Sequence, residues 1–245
     1  MLEVKNLVAG YEQRVLIRNL FFSIPAPALV AIVGHNGSGK TTFFKAFTST
    51  ISYQGQILIQ QQNIKFVKNP AASGILSYLP QKNTVNFPIQ VQDLVVMGLF
   101  RNKRFFEQYS REDYVLAERI LARLQIAHLA KREFTELSGG EQQLIWLAQL
   151  MLHNATVCLL DEPTQHLDIY HKKRVFNLLQ SWVQEDQKLV LCITHDLSNL
   201  YGHTGYILNI SKPEPILEVL SSETIKENIL FLEEKHPFPV NTPEC

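Results

Sequence analysis

Cysteine is scarce in this chain, and neither sign of charge is in excess. Three cysteines, Cys158, Cys192 and Cys245, are spread over 245 residues. An odd, widely spaced set argues against a disulfide framework and suits a reducing compartment. Cys158 and Cys192 fall in apolar runs and are expected in the core. Lys+Arg and Asp+Glu number 23 each, so no net field draws the chain to nucleic acid or to an anionic bilayer. Long apolar runs are missing as well. The most apolar window, Leu20 to Val33, is broken by Ser23, Pro25 and Pro27, and it falls short of the ~20 residues a membrane span needs. Met1-Leu2-Glu3-Val4 opens without a basic segment and apolar stretch, so a secretion signal is not expected. Any role at a membrane is therefore expected to run through a partner. No repeat or low-complexity tract is found, and a chain of this length buries about 70–75% of its unfolded surface without staples.

What is present is an alternation of short apolar runs and helical patterns. Val15 to Ile24, punctuated at Pro25 and Pro27, reads as extended chain, and Ala28 to Val33 is a β-rich run stopped by Gly34. Thr41 to Phe47 has helical character. Ile57 to Gln60 and Ile75 to Leu79 read as further strands, around turns at Gly55 and Asn69-Pro70. From about Gln90 to Leu152 the texture becomes helical, with Val115, Ile120, Leu121, Leu124 and Leu129 recurring at helical spacing. Strand character returns at Thr156 to Leu160 and Leu189 to Thr194, on either side of a helix through Val175, Leu178, Leu179 and Trp182. Such alternation predicts an α/β fold with a mostly parallel sheet covered on both faces. The expected organisation is one domain, 1–245. Its α/β core comprises approximately 1–89 and 153–210, interrupted by an inserted helical subdomain at approximately 90–152. A C-terminal extension, 211–245, is expected to carry one helix from near Ser222 and a partly ordered end broken by Pro237, Pro239 and Pro243.

Gly34-His35-Asn36-Gly37-Ser38-Gly39-Lys40-Thr41 fits the pattern G-x-x-x-x-G-K-S/T and lies between a predicted strand and a predicted helix. Its glycines let successive backbone N–H groups converge on phosphate oxygens, and the helix N-terminus adds partial positive charge. Lys40 reaches toward the β- and γ-phosphates, and Thr41 offers a hydroxyl to Mg²⁺. Thr156-Val157-Cys158-Leu159-Leu160-Asp161-Glu162 is an apolar run that ends in two carboxylates. Side chains alternate along a strand, so the two need not share a job. Asp161 suits Mg²⁺-bound water, and Glu162 suits the water that attacks a γ-phosphate. Alone, the pair reads equally well as a solvated acidic turn.

Leu137-Ser138-Gly139-Gly140-Glu141 lies between these motifs and resembles the signature of ATP-binding cassette (ABC) ATPases. The resemblance runs over roughly residues 1 to 230. It implies a P-loop NTPase core, a mostly parallel RecA-like sheet with an antiparallel β edge and the inserted α-helical subdomain. It carries the nucleotide set onto Gly34 through Thr42, including Thr42 itself, and onto Tyr11 as the aromatic that stacks on adenine. Tyr11 also reads as an aromatic closing the sheet edge. Gln81, in Leu79-Pro80-Gln81, resembles the Q-loop glutamine that joins Thr41 and Asp161 around Mg²⁺; it otherwise reads as a surface residue after a proline. His195 resembles the switch histidine at the γ-phosphate. Asp168, in Pro163-Thr164-Gln165-His166-Leu167-Asp168, resembles the D-loop aspartate that crosses to a second protomer. His166 and His171 lack metal-ligand spacing and are read as solvated or packing residues.

The resemblance further implies that Ser138, Gly139, Gly140 and Glu141 serve ATP held on another copy of the chain, so that two copies close around two ATP. Glu162, Lys40, His195 and Gln81 form the implied catalytic set. Val91 through Gly98, Ser110-Arg111-Glu112-Asp113 and the stretch from Pro163 to His171 look closer to importers of iron-siderophores, haem, cobalamin and related metal chelates than to the free zinc and manganese branch. The implied partners are two membrane permease subunits and a substrate-binding protein, with the chain peripheral on the cytoplasmic face of the inner membrane. The ATPase of a free zinc or manganese importer is one alternative, and a soluble ABC-type ATPase of translation or DNA maintenance is another; the single cassette and the lack of basic surplus speak against the second, and no nucleic-acid partner is expected. The chain departs from the family in placing Gln142, Gln143, Leu144 and Gln149 where basic residues are common, and Pro25-Ala26-Pro27-Ala28 where a Gly-acidic turn is usual.

Overall fold

The computed structural model describes residues 1–11, 14–70, 72–104, 107–165 and 167–234. Glu12, His166, the prolines of the C-terminal end and Cys245 lie outside the described residues. In chain order the elements are β1 (Leu2–Tyr11), β2 (Arg14–Ile24), β3 (Leu29–Val33), α1 (Lys40–Phe47), β4 (Tyr53–Ile59), β5 (Gln62–Asn63), β6 (Leu76–Leu79), α2 (Val91–Val96) and α3 (Arg111–Arg123). They continue with α4 (Gly139–His153), β7 (Val157–Asp161), α5 (Ile169–Gln184), β8 (Leu189–Ile193), β9 (Tyr206–Asn209), β10 (Leu217–Val219) and α6 (Ser222–Glu233).

The strands form two sheets. One has the order β2-β1-β4-β5 with antiparallel pairing throughout. The other has the order β10-β9-β3-β8-β7-β6, parallel except for the antiparallel β9–β10 edge. Every residue of β3, β7 and β8 is buried, which is why these strands read as unbroken apolar runs. Their side chains still alternate, and each strand feeds two cores. Leu29, Ala31, Val33, Cys158, Leu160, Val190 and Cys192 pack with α2 through α5. Val30, Ile32, Val157, Leu159, Leu191 and Ile193 pack with Phe43, Phe44 and Phe47 of α1 and with the antiparallel sheet. The parallel sheet is thus the middle layer, and both described cysteines are free and buried in it.

Three expectations are corrected. Gly55 is not a turn: it lies inside β4, where pairing with β1 shifts register between Lys5 and Val8. Its φ is 89°, and a Cβ there would sit 2.3 Å from the Asn6 carbonyl oxygen, so a glycine bulge keeps the strand running. Val115 is exposed, and α3 buries Ala117 and Leu121 instead. Leu129 belongs to a separate short 3₁₀ turn, Ala127–Leu129. β1 is a full strand whose alternation (Leu2, Val4, Leu7 and Ala9 buried) is interrupted at Asn6, with φ of 50°.

Topology gathers the chemistry at one edge. The chain leaves β3 into Gly34, β6 into Pro80-Gln81, β7 into Glu162, β8 into Thr194-His195 and β9 into Ile210-Ser211. Because these strands are parallel, all five exits lie at the carboxyl edge of one sheet, where ligands bind in open α/β folds.

Candidate nucleotide site

The phosphate loop is held open by backbone geometry that needs glycine. Gly37 and Gly39 have φ of 80° and 101°, in the region that L side chains rarely adopt. Gly39 is the N-cap residue of α1 and has no capping side chain. The first N–H groups of the helix are therefore available to an anion. Lys40, only 7% exposed, folds back and donates through Nζ to the carbonyl oxygens of Gly34 at 2.8 Å and His35 at 3.0 Å. Burial pushes its pKa down, opposed by the Glu162 and Asp161 carboxylates.

Asp161 and Glu162 part company as alternation required. Asp161 is 2% exposed and accepts from Thr41 Oγ1 at 3.0 Å and Tyr78 OH at 3.5 Å, both through Oδ2. Its other oxygen, Oδ1, is buried and has no hydrogen-bond partner among the described residues. Burial raises its pKa, and the adjacent Glu162 adds to the rise. Glu162 turns out of the strand with φ of 53°, an uncommon conformation for a side chain of its type. The turn is fixed by Glu162 N–H donating to Ile193 O at 3.0 Å. Its Oε1 lies 3.1 Å from His195 Nε2, and its Oε2 accepts from Gln81 Nε2 at 3.0 Å.

The structure thus brings Thr41, Asp161, Glu162, Gln81 and His195 together. Gln165 joins them, accepting from Gln81 Nε2 at 3.2 Å; the sequence showed it only as a D-loop residue without a role of its own. Tyr11 is at the end of β1, half-exposed, with its hydroxyl accepting from Lys45 Nζ at 3.0 Å. Lys45 and Thr42 of α1 hold its phenol below its usual pKa, Lys45 foremost. Tyr11 therefore stands beside the helix that follows the phosphate loop.

The signature opens α4, as its sequence promises. Ser138 is the N-cap: its Oγ accepts from Glu141 N–H at 3.4 Å, and its own N–H donates to Glu141 Oε2 at 2.8 Å. Ser138 Oγ also lies 2.7 Å from Glu141 Oε2, and these bonds hold the Glu141 carboxyl below its usual pKa. Nothing lies within 4 Å of a Cβ added at Gly139. At Gly140 a Cβ would meet the His171 ring at 3.0 Å, so His171 is a packing residue. Asp168 caps α5, accepting from His171 N–H at 2.8 Å. A cleft of about 180 Å³ between Gln81, Glu162 and Gln165 on one side and Gly139 and Gln142 on the other separates the carboxylate edge from α4 of the same chain.

The glutamines that depart from the family pattern have structural work. Gln142 Nε2 donates to the carbonyls of Phe134 and Leu137, each at 3.2 Å. Gln149 Nε2 donates to Leu94 O at 2.8 Å, beside Gly98, where a Cβ would lie 2.4 Å from Gln149 O. Leu144 is buried in the core. Neutral amides and an apolar side chain serve an interior helix contact that a cation would have to desolvate to enter.

The family model described as ABC transporter matches residues 17–165. The chain belongs to the ABC transporter family and is of its ATP-binding, ATP-hydrolysing type, in which hydrolysis is coupled to transport. The iron(3+)-hydroxamate import ATP-binding protein FhuC of Bacillus subtilis is 28% identical over 230 residues, covering 94% of this chain and 86% of its own. The manganese transport system ATP-binding protein MntB of Halalkalibacterium halodurans is 29% identical over 231 residues, covering 92% and 90%. A solved structure described as a metal-chelate type ABC transporter in an inward-facing conformation has a TM-score of 0.78 at 30% identity, covering 94% of this chain and 87% of the other. Cassettes of the family dimerise and work with membrane permease subunits. No described helix is long and apolar enough to cross a membrane.

Proposed function

We propose that this chain is the ATPase subunit of an importer that takes up a metal chelate, such as an iron-siderophore, haem or cobalamin, through separate permease subunits. The observation that carries the catalytic part is the convergence of Gln81 and His195 on the two oxygens of Glu162, beside the Thr41–Asp161 pair. Phosphates of ATP lie on the N–H groups of Gly37 through Thr42, with Tyr11 against the base. Lys40 exchanges the carbonyls of Gly34 and His35 for phosphate oxygens. Glu162 takes the proton from the attacking water, and His195 stabilises the γ-phosphate. Thr41 and Asp161 would hold Mg²⁺, with Gln81 nearby: Asp161 Oδ1 is buried without a partner among the described residues, and burial disfavours its carboxylate form. Held there, the ion would supply neutralisation of phosphate charge.

Ser138, Gly139 and Gly140 are exposed or half-exposed at the start of α4 and contact ATP held by a second copy. Asp168 crosses to that copy as well. Closure requires Ser138 Oγ to leave Glu141 for phosphate. Residues 90–152 act as the subdomain that carries this signature, and loss of γ-phosphate loosens the pair, in an order-on-binding, release-on-hydrolysis switch. The chain then works from the cytoplasmic face of the membrane, with a substrate-binding protein delivering cargo on the other side. The FhuC relative and the metal-chelate transporter structure support this cargo class. The MntB relative supports a second reading, free manganese.

Affinity purification from detergent-solubilised membranes tests the assignment. A polytopic membrane protein is expected to co-purify, and recovery only in a soluble complex contradicts it. Uptake of radiolabelled iron-siderophore against radiolabelled manganese, in cells with and without the chain, decides the cargo.

A further inference from the structure

We propose that the segment from Asn209 to α6 is a brace that sets the phosphate loop for nucleotide, with Ser211 as a positioning residue for ATP binding. The proposal rests on the reading of Gly34 to Thr41 as the phosphate loop. Ser211 Oγ accepts from His35 N–H at 2.8 Å, across 176 positions of sequence. A chain of hydrogen bonds stands behind this contact. Ser211 N–H donates to Asn209 Oδ1 at 3.0 Å, and Asn209 Nδ2 donates to Asn228 Oδ1 at 2.9 Å. Asn228 Nδ2 donates to Glu218 Oε2 at 3.0 Å and to Thr224 O at 2.8 Å, and Lys212 Nζ holds Glu218 at 2.8 Å.

Asn209 and Asn228 are 1% and 0% exposed. Buried amides are costly unless paired, and a paired network admits few geometries. The network is also tied to the strand that feeds the loop: Asn209 is the parallel partner of Val33, and Ile210 N–H donates to Val33 O at 3.0 Å. The fit at the loop is close, since a Cβ on Gly34 would lie 2.9 Å from Ser211 Oγ. α6 adds a second contact. The Phe231 and His35 rings are 5.8 Å apart, and Leu232 lines a cavity of about 290 Å³ with Gly34, His35, Asn36 and His195. The His35 N–H is turned to Ser211, which anchors the first turn of the loop and leaves the later amides to converge on phosphate.

The test uses the full chain and measures Kd for ATP and ADP, KM, kcat and Tm. Ser211→Ala strands the His35 N–H and is expected to lower Tm by about 2–4 °C and, because the loop is no longer held for phosphate, to raise both Kd values and KM about five-fold, the scale of one lost hydrogen bond, with kcat at saturating ATP unchanged. Ser211→Thr, which keeps the hydroxyl, is expected to restore affinity. Asn228→Leu, remote from the loop, is expected to raise KM in the same direction; if it does not accumulate folded, the two Ser211 variants decide. An ATP Kd for Ser211→Ala within about two-fold of the parent, less than one hydrogen bond is worth, overturns the proposal. Lys40→Ala separates the two levels: if it binds ATP as the parent does, the phosphate-loop reading fails, whereas loss of binding there with unchanged Ser211→Ala removes the brace alone.

Discussion

Glu162 and His195 face each other at 3.1 Å, Oε1 to Nε2, from the ends of two adjacent parallel strands. With Gln81 on the other carboxylate oxygen at 3.0 Å, Glu162 is oriented from both sides by side chains of its own chain. The side chain that sequence order assigned to the attacking water is thus held by the two residues assigned to sense the γ-phosphate and the metal. Glu162→Gln keeps the shape and removes the base. Steady-state phosphate release is expected to fall by about 10²–10⁴-fold, the usual worth of a general base, with ATP binding retained. Hydrolysis at the parent rate would reject Glu162 as the base.

Asp161 is the opposite kind of carboxylate, buried and half-satisfied. Burial raises its pKa, so the folded state binds a proton more readily than the unfolded chain, and the charged form works against folding as pH rises from about 4. Asp161→Asn keeps an acceptor for Thr41 and removes the charge. It is expected to abolish hydrolysis while raising Tm at neutral pH by about 2–4 °C, the equivalent of 1 kcal/mol in a chain of this size. A lowered Tm in a thermal melt would contradict this account of the site.

Gln149→Ala leaves Leu94 O without its side-chain donor, and Gln142→Ala does the same to Phe134 O and Leu137 O. Each is expected to cost about 1 kcal/mol, the net worth of a part-buried hydrogen bond, read by chemical denaturation. Gln149 does not line the cleft that holds Glu162, so kcat is expected to hold in Gln149→Ala, whereas Gln142 faces that cleft and only its stability effect is predicted. Unchanged stability would show that water replaces the amides.

Asp168 predicts an acid response. The His171 backbone N–H, then its ring, holds the Asp168 carboxyl below its ordinary range. A depressed folded pKa contributes stability above the unfolded value of about 4, and that contribution is lost as pH falls through the folded pKa. The protection of amides in the first turn of α5, taken relative to the intrinsic exchange rate at each pH, is therefore expected to fall only in acid. Asp168→Ala is expected to show the lowered protection at neutral pH, and protection equal to the parent there would contradict the cap.

The placement of Gly34 through Thr41, Asp161-Glu162 and His195 at strand ends was legible because each couples a local pattern to a strand boundary. β3, β7 and β8 were legible as strands because burial on both faces leaves no polar interruption. What was not legible depends on distant pairing. Gly55 looks like a turn until the Asn6 carbonyl beside it is known, and Val115 fits a helical period that α3 turns to solvent. Asn209, Ser211 and Asn228 carry no motif, since a buried amide network is visible only when β9, β10 and α6 are folded together. Gln142 and Gln149 looked like lost cations, and their role as amide donors follows from the carbonyls they meet.

A nucleotide site completed by two copies of the chain makes the mass of Glu162→Gln in solution depend on the nucleotide. Light scattering after gel filtration is expected to give a dimer with ATP and a monomer with ADP, and Ser138→Arg in the same background is expected to abolish the dimer. A monomer with ATP fully bound would contradict the claim.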